Sequence, residues 1–200
     1  MSSWQELKGV VPKRSSIALL LIDIQKGFDD INHWGGQRNN LCAEGNAGRI
    51  LTLAREGGLP VFHIQHCSAL LTSPLHISKE GNAFKDAVAP LGHETIIQKN
   101  VNSAFIGTDL KGQLDRKCIR KLIIAGLTTD HCVSTTTRMA GNYGYETYLV
   151  DDATATFNKR GLNGQHFSAE LIHQTALASL KDEFAHIVST DFLMQQIFSL

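Results

Sequence analysis

The chain has 200 residues, 42% of them hydrophobic and 19% charged, the make-up of one soluble globular domain with a full core. Lys plus Arg and Asp plus Glu each number 19, so the formal charge is zero and no basic face for nucleic acid or an anionic membrane is expected. No apolar run approaches the ~20 residues that span a bilayer, and residues 1–8 lack a signal-peptide core, so the expectation is a cytoplasmic protein.

In chain order, the first apolar run is Ile17–Ile22, a strand that runs straight into Asp23. A long connection over 29–42 follows, carrying Trp34, Gly35, Gly36 and Arg38. A helix is predicted over 43–56, stopped by Gly57 and Gly58. Its Gly45-Asn-Ala-Gly48 does not follow a strand and lacks the GxGxxG spacing or a Walker lysine, so no nucleotide loop is read there. The next strand, over 59–66, contains His63 and His66. Positions three apart on a strand face opposite ways, so the pair cannot readily chelate one ion. His66, at the carboxyl end, is the one expected to see a ligand crevice. A second long connection, over 67–94, holds Pro74, Gly81, Phe84 and Pro90. Loops of this length usually have a task such as lining a site.

A short strand over 95–98 runs into Lys99, and a helix is predicted over 109–116. The run over 121–125 reads as a strand covered on both faces. Gly126 breaks it, and Thr128, Thr129 and Asp130 supply capping oxygens for a helix over 131–142 whose first turn carries Cys132. There a thiol would meet unpaired N–H groups and the positive helix end, both favouring thiolate. The bland alternative is a small apolar cysteine filling space. A strand over 146–150 follows Gly144. Adjacent Asp151 and Asp152 diverge, so capping or turn duty is expected of them rather than catalysis. The segment 152–167, with Phe157, Asn158 and His166, is a third candidate wall. A helix over 168–180 and a strand over 184–188 complete the pattern.

Strand alternating with helix predicts a single α/β domain over 1–200: three α/β/α layers around a six-stranded, mostly parallel, Rossmann-like sheet. In such sheets, ligands bind beyond the carboxyl ends of the strands. Asp23, Lys99 and Cys132 would all project from that edge. A carboxylate can take the thiol proton, an ammonium supports the thiolate, and the thiolate attacks an electrophilic carbon. The four cysteines (Cys42, Cys67, Cys118 and Cys132) show no CxxC spacing, so neither a zinc signature nor a disulfide framework is read. Around the three reactive residues, Gln25, Phe28, Trp34, His66, Phe105 and His166 are candidate substrate contacts. Loop packing is the rival role for Trp34.

Three ordered segments carry a family resemblance: residues 20–28 (LLIDIQKGF), 99–105 (KNVNSAF) and 126–133 (GLTTDHCV). Together with Ala140, Gly144 and 150–153 (VDDA), they make the chain resemble the isochorismatase-like cysteine hydrolases over about residues 16–190. The resemblance implies a triad of Asp23, Lys99 and Cys132. It also implies a cis peptide at Leu127–Thr128 and an oxyanion hole from the Thr128 and Cys132 amides. A homo-oligomer is implied as well. True isochorismatases of this family lack the cysteine, so Cys132 points away from vinyl-ether hydrolysis. Nicotinamidases carry an Asp-x-His metal motif after the second strand, where this chain reads Gln65-His66-Cys67-Ser68. The reading is therefore a cofactor-free, metal-free hydrolase of a C–N bond in a small amide, ureide or carbamoyl substrate, through a thioester. The alternatives are a vinyl-ether hydrolase, a thiol or redox sensor, and a catalytically silent binding module.

Overall fold

Six apolar runs become six parallel strands in the computed structural model, which describes residues 16–196. The expectation drawn from residues 1–8 lies outside the described residues. The strands are β1 (Ile17–Ile22), β2 (Val61–His66), β3 (Thr95–Lys99), β4 (Lys121–Leu127), β5 (Glu146–Ala155) and, after a small hairpin, β8 (His186–Val188). Their order across the sheet is β3-β2-β1-β4-β5-β8. Every pairing is parallel, where the sequence reading had expected a mostly parallel sheet. The hairpin strands β6 (Lys159–Arg160) and β7 (His166–Phe167) pair separately and antiparallel.

Alternation along β1 explains the three layers. Leu19 and Leu21 face one side, where α2 (Ala43–Glu56) buries Ala47, Ile50, Leu51 and Ala54, a spacing that keeps one helix face apolar. Leu20 and Ile22 face the other side. There they share a core with Leu110 and Leu114 of α3 (Leu110–Arg116), Ala140 of α4 (Ser134–Asn142), and Leu177 and Leu180 of α5 (Ala169–Leu180). The short α1 (Ile31–Trp34) lies in the first long connection, and α6 (Thr190–Gln196) follows β8. No helix among the described residues is long and apolar enough to cross a membrane.

Strand β5 runs past its predicted end at Val150, through Asp151 and Asp152, to Ala155. A register shift between Ile124 and Gly126 accommodates the extension. Asp152 keeps a local duty: its Oδ1 accepts from the Thr190 amide and hydroxyl, each at 2.8 Å, at the start of α6.

Single β-bridges tie the long connections to the body, Gln25 with Phe84 and Arg38 with Phe157, and another, Ser68 with His76, closes a turn within the second connection. Glu44 joins the two connections. Both its oxygens accept from Arg38 at 2.7 Å, and Lys85 donates to Oε1 at 2.7 Å. Burial alone would raise the Glu44 carboxyl, but the two cations hold it at about 2 against an ordinary 4.5.

Candidate active site

The chain order of the strands reverses between β1 and β4, the switch point at which open α/β sheets leave a crevice. Four adjacent strands each deliver one polar side chain to it. Lys99 is the last residue of β3 and His66 the last of β2. Asp23 follows β1, and Cys132 lies in the turn after β4. The Lys99 ammonium stands 2.6 Å from Asp23 Oδ2, 3.1 Å from His66 Nδ1 and 3.3 Å from Cys132 Sγ. Asp23, Lys99 and Cys132 are all buried, and His66 is half-buried. Asp23 has a left-handed φ of 52°, and its second oxygen, Oδ1, is buried without a hydrogen-bond partner among the described residues. One ligand atom each from Asp23, His66 and Cys132 lie within 4.8 Å of one another.

The local chain around the cysteine departs from the simple strand–cap–helix expectation. A single π-helical turn, Thr129–Val133, precedes α4, so Cys132 stands before the α-helix rather than in its first turn. Thr128 makes no side-chain cap; its carbonyl accepts from the His131 and Val133 amides at 3.1 and 3.2 Å. The other two predicted caps are used elsewhere. The Thr129 hydroxyl bonds His173 Nδ1 at 2.9 Å. Asp130 accepts from the Thr156 hydroxyl at 2.5 Å and pairs with Lys159 of the hairpin at 2.6 Å. The wider π turn aims these side chains at β5, α5 and the hairpin instead of back at the amides. The Leu127–Thr128 peptide is cis.

Electrostatics also correct the expectation of a ready thiolate. Burial pushes the Cys132 thiol up, the Asp23 carboxylate pushes it the same way, and Lys99 opposes both. These influences together disfavour the thiolate, so a base that takes the proton would assist reaction at the sulfur. Asn102 was not singled out from the sequence, although it lies in the 99–105 segment; its Oδ1 is 3.8 Å from Cys132 Sγ.

The candidate substrate contacts fall into distinct places. Gln25 is fully buried with its amide committed: Nε2 donates to the carbonyls of His66 (3.1 Å) and Asn82 (2.7 Å), and Oε1 accepts from the His66 amide (2.9 Å). Phe28, Trp34 and Phe157 stack together, with Phe28 and Trp34 centroids 4.6 Å apart, and pack with Leu127 just before Thr128. Trp34 Nε1 donates to the Gly27 carbonyl at 2.8 Å. Phe105 is buried against Tyr143 and Tyr145 in the main core. His166 is exposed on β7 and is not brought to the cysteine. His63 is fully buried and meets Glu94 Oε2 at 2.9 Å.

The three-layer α/β/α, Rossmann-like fold of this chain is shared with solved structures. An isochorismatase-family structure from Chromobacterium violaceum superposes with a TM-score of 0.89 at 36% identity, covering 96% of this chain and 98% of that one. The isochorismatase domain pattern matches residues 17–192, and the chain belongs to the isochorismatase family of hydrolases. The isochorismatase family protein YrdC of Bacillus subtilis is 51% identical over 88% of this chain and 94% of its own length. Nicotinamidase 3 of Arabidopsis thaliana is 26% identical over 93% of this chain and 91% of its own.

Proposed function

We propose that this hydrolase cleaves a C–N bond in a small amide, ureide or carbamoyl compound through a thioester on Cys132. One observation carries the reading: a single ammonium, Lys99, touches both Asp23 Oδ2 and Cys132 Sγ, while Asp23 Oδ1 has no hydrogen-bond partner among the described residues. Support comes also from relatives whose names specify amides, nicotinamidase 3 and the maleamate amidohydrolase of Pseudomonas putida, the latter 25% identical over 90% of this chain.

In this mechanism Asp23 takes the proton of Cys132 and the sulfur attacks the carbonyl carbon. The Thr128 and Cys132 amides hold the oxyanion, a donor pair of the kind worth ~2.7–4 kcal/mol for each member. As the C–N bond breaks, Asp23 returns the proton to the departing ammonia or amine. Water then hydrolyses the thioester, with Asp23 taking one proton and passing it back to the sulfur. Lys99 stays positive throughout. It offsets the charge on Asp23 before the transfer and on sulfur after it. Phe28 and Trp34, stacked beside Leu127, would form the apolar side of the substrate site.

A metal-assisted route of the nicotinamidase kind does not fit these residues. The segment at the end of β2 reads Gln65-His66-Cys67-Ser68, without an Asp-x-His pair, and Gln65 is spent on Asn82 and Gln98. A thiol sensor has no evident need for Asp23 and Lys99 beside Cys132.

The test is intact-protein mass spectrometry after mixing with a panel of small amides, ureides and carbamoyl compounds, with ammonia followed in parallel. A substrate-sized adduct on the wild type, absent in Cys132→Ala and accompanied by ammonia release, is expected. Turnover that survives Cys132 alkylation would instead indicate vinyl-ether chemistry.

A further inference from the structure

The Lys99 ammonium has three N–H bonds and meets three acceptors. Two belong to the triad proposed above. The third is His66 Nδ1 at 3.1 Å, a contact that neither thiol activation nor amide cleavage by itself requires. An ammonium only donates, so the nitrogen it faces has to offer a bare lone pair. That assigns the ring proton of a neutral His66 to Nε2.

The chain invests heavily in the position of this ring. The His66 amide donates to Gln25 Oε1 at 2.9 Å. Its carbonyl accepts from Gln25 Nε2 at 3.1 Å and from Asn82 Nδ2 at 2.9 Å. Both clamping side chains are buried, Gln25 completely. The next residue is fixed as well, the Cys67 amide donating to the Lys99 carbonyl at 2.7 Å. Buried amides spent on one residue's backbone set the ring's place against β3.

We infer that His66 is a positioning residue: as a neutral Nε2–H tautomer it accepts the third hydrogen bond of Lys99 and so holds the ammonium between Asp23 and Cys132. The inference rests on the Asp23–Lys99–Cys132 reading. The charged groups facing the ring are Lys99 from β3 and Asp23 from the end of β1, with the Cys132 sulfur beyond them from the turn after β4. Protonating His66 would turn its acceptor into a donor and set two cations 3.1 Å apart. Burial, with the Lys99 charge adding to it and Asp23 opposing, holds the ring below the ordinary histidine range. The contact therefore persists at neutral pH and fails in acid.

Two measurements test this, and neither needs a substrate, so a failure of the amide reading would not be mistaken for a failure here. In the first, nitrogen-15 spectra of histidine-labelled protein identify the tautomer, His66 being assigned by the signal lost in His66→Asn. The wild type should show the neutral Nε2–H form across most of the range from about pH 5 to 8. Lys99→Met should release the preference and move the titration to higher pH. An Nδ1–H tautomer in the wild type, or a titration unchanged in Lys99→Met, would overturn the inference.

The second measurement follows iodoacetamide alkylation of Cys132 by peptide mass spectrometry. His66→Phe keeps a ring but offers no acceptor, and should slow the reaction about tenfold, the scale of one lost charge-assisted bond. In His66→Asn, Oδ1 takes the place of Nδ1, and most of that rate should return without the acid limb. Equal rates in the Phe and Asn variants would leave His66 a space-filling residue and sink the proposal.

Discussion

Ile22 and Gly126 are register partners at the carboxyl ends of β1 and β4, and a Cβ on Gly126 would overlap the Ile22 carbonyl oxygen. Gly126 also has a φ of +134°, which side chains rarely adopt. The close approach sits one residue before Asp23 on one strand and just before the turn to Cys132 on the other. The missing side chain is what lets the proposed base and nucleophile stand together.

Gly126→Ala should therefore cost more than an ordinary glycine substitution, about 3 kcal/mol or more from backbone strain and overlap combined. Thermal unfolding checks it. A variant that melts with the wild type would mean that the strands part there without penalty.

Asp23→Asn should lower kcat about 10²–10⁴-fold with a small change in KM, because the acid–base group is lost while the shape is kept. Asn tolerates the left-handed φ of 52° that this position requires, so the fold should survive. Circular dichroism alongside kinetics on a confirmed substrate separates the two effects. Near-wild-type turnover would remove Asp23 from its assigned role.

Without substrate, Cys132 should alkylate more slowly than Cys42 and Cys118, which are exposed. Burial and the Asp23 carboxylate raise the Cys132 thiol above its ordinary value, so its thiolate fraction at neutral pH is smaller and its rate should still be climbing above about pH 8.5. Peptide mapping of a timed iodoacetamide reaction gives all four rates. If Cys132 reacts first, the electrostatic description of the site is wrong.

Glu44 gives a pH window for stability. Its folded carboxyl titrates at about 2 and its ordinary value is 4.5, so the unfolded chain takes up the proton first. The stabilisation is complete above about 4.5 and is lost as pH falls through about 2. Glu44→Gln should cost about 1.5–3 kcal/mol at neutral pH and flatten the acid limb of a denaturation series. An unchanged acid limb would place the pH dependence elsewhere, for example at Glu94, which Arg55 holds at about 2.

The end of β1 is legible because the strand is covered on both faces and reads as an unbroken apolar run stopping at Asp23, whereas β4 runs two residues past its predicted end, through Gly126 to Leu127. Lys99 is legible from the short apolar run that it ends, although that strand is not covered on both faces. The extension of β5 was hidden because it crosses two aspartates, and only the register shift beside Gly126 lets them sit in a strand. Gln25 looked like a substrate contact because it follows Asp23 closely; its partners, His66 and Asn82, are 41 and 57 residues away. Long-range hydrogen bonds leave no local trace in composition. The state of the Cys132 thiol was misjudged because the pull of a helix end can be read from sequence, whereas the depth of burial cannot.

The order Lys99, His66, Asp23, Cys132 across the crevice is the order β3, β2, β1, β4 across the sheet. No two neighbouring strands contain more than two of these groups, and the four are gathered from segments between Ile17 and Val133. A chain that has paired β1 with β2 and β2 with β3 holds the aspartate, the lysine and the histidine but not the sulfur of Cys132. Only the docking of β4 against the free edge of β1 brings the sulfur in. Reactivity of this site thus reports the joining of β4 to β1, and a polypeptide truncated before β4 lacks the sulfur on which the proposed thioester route depends.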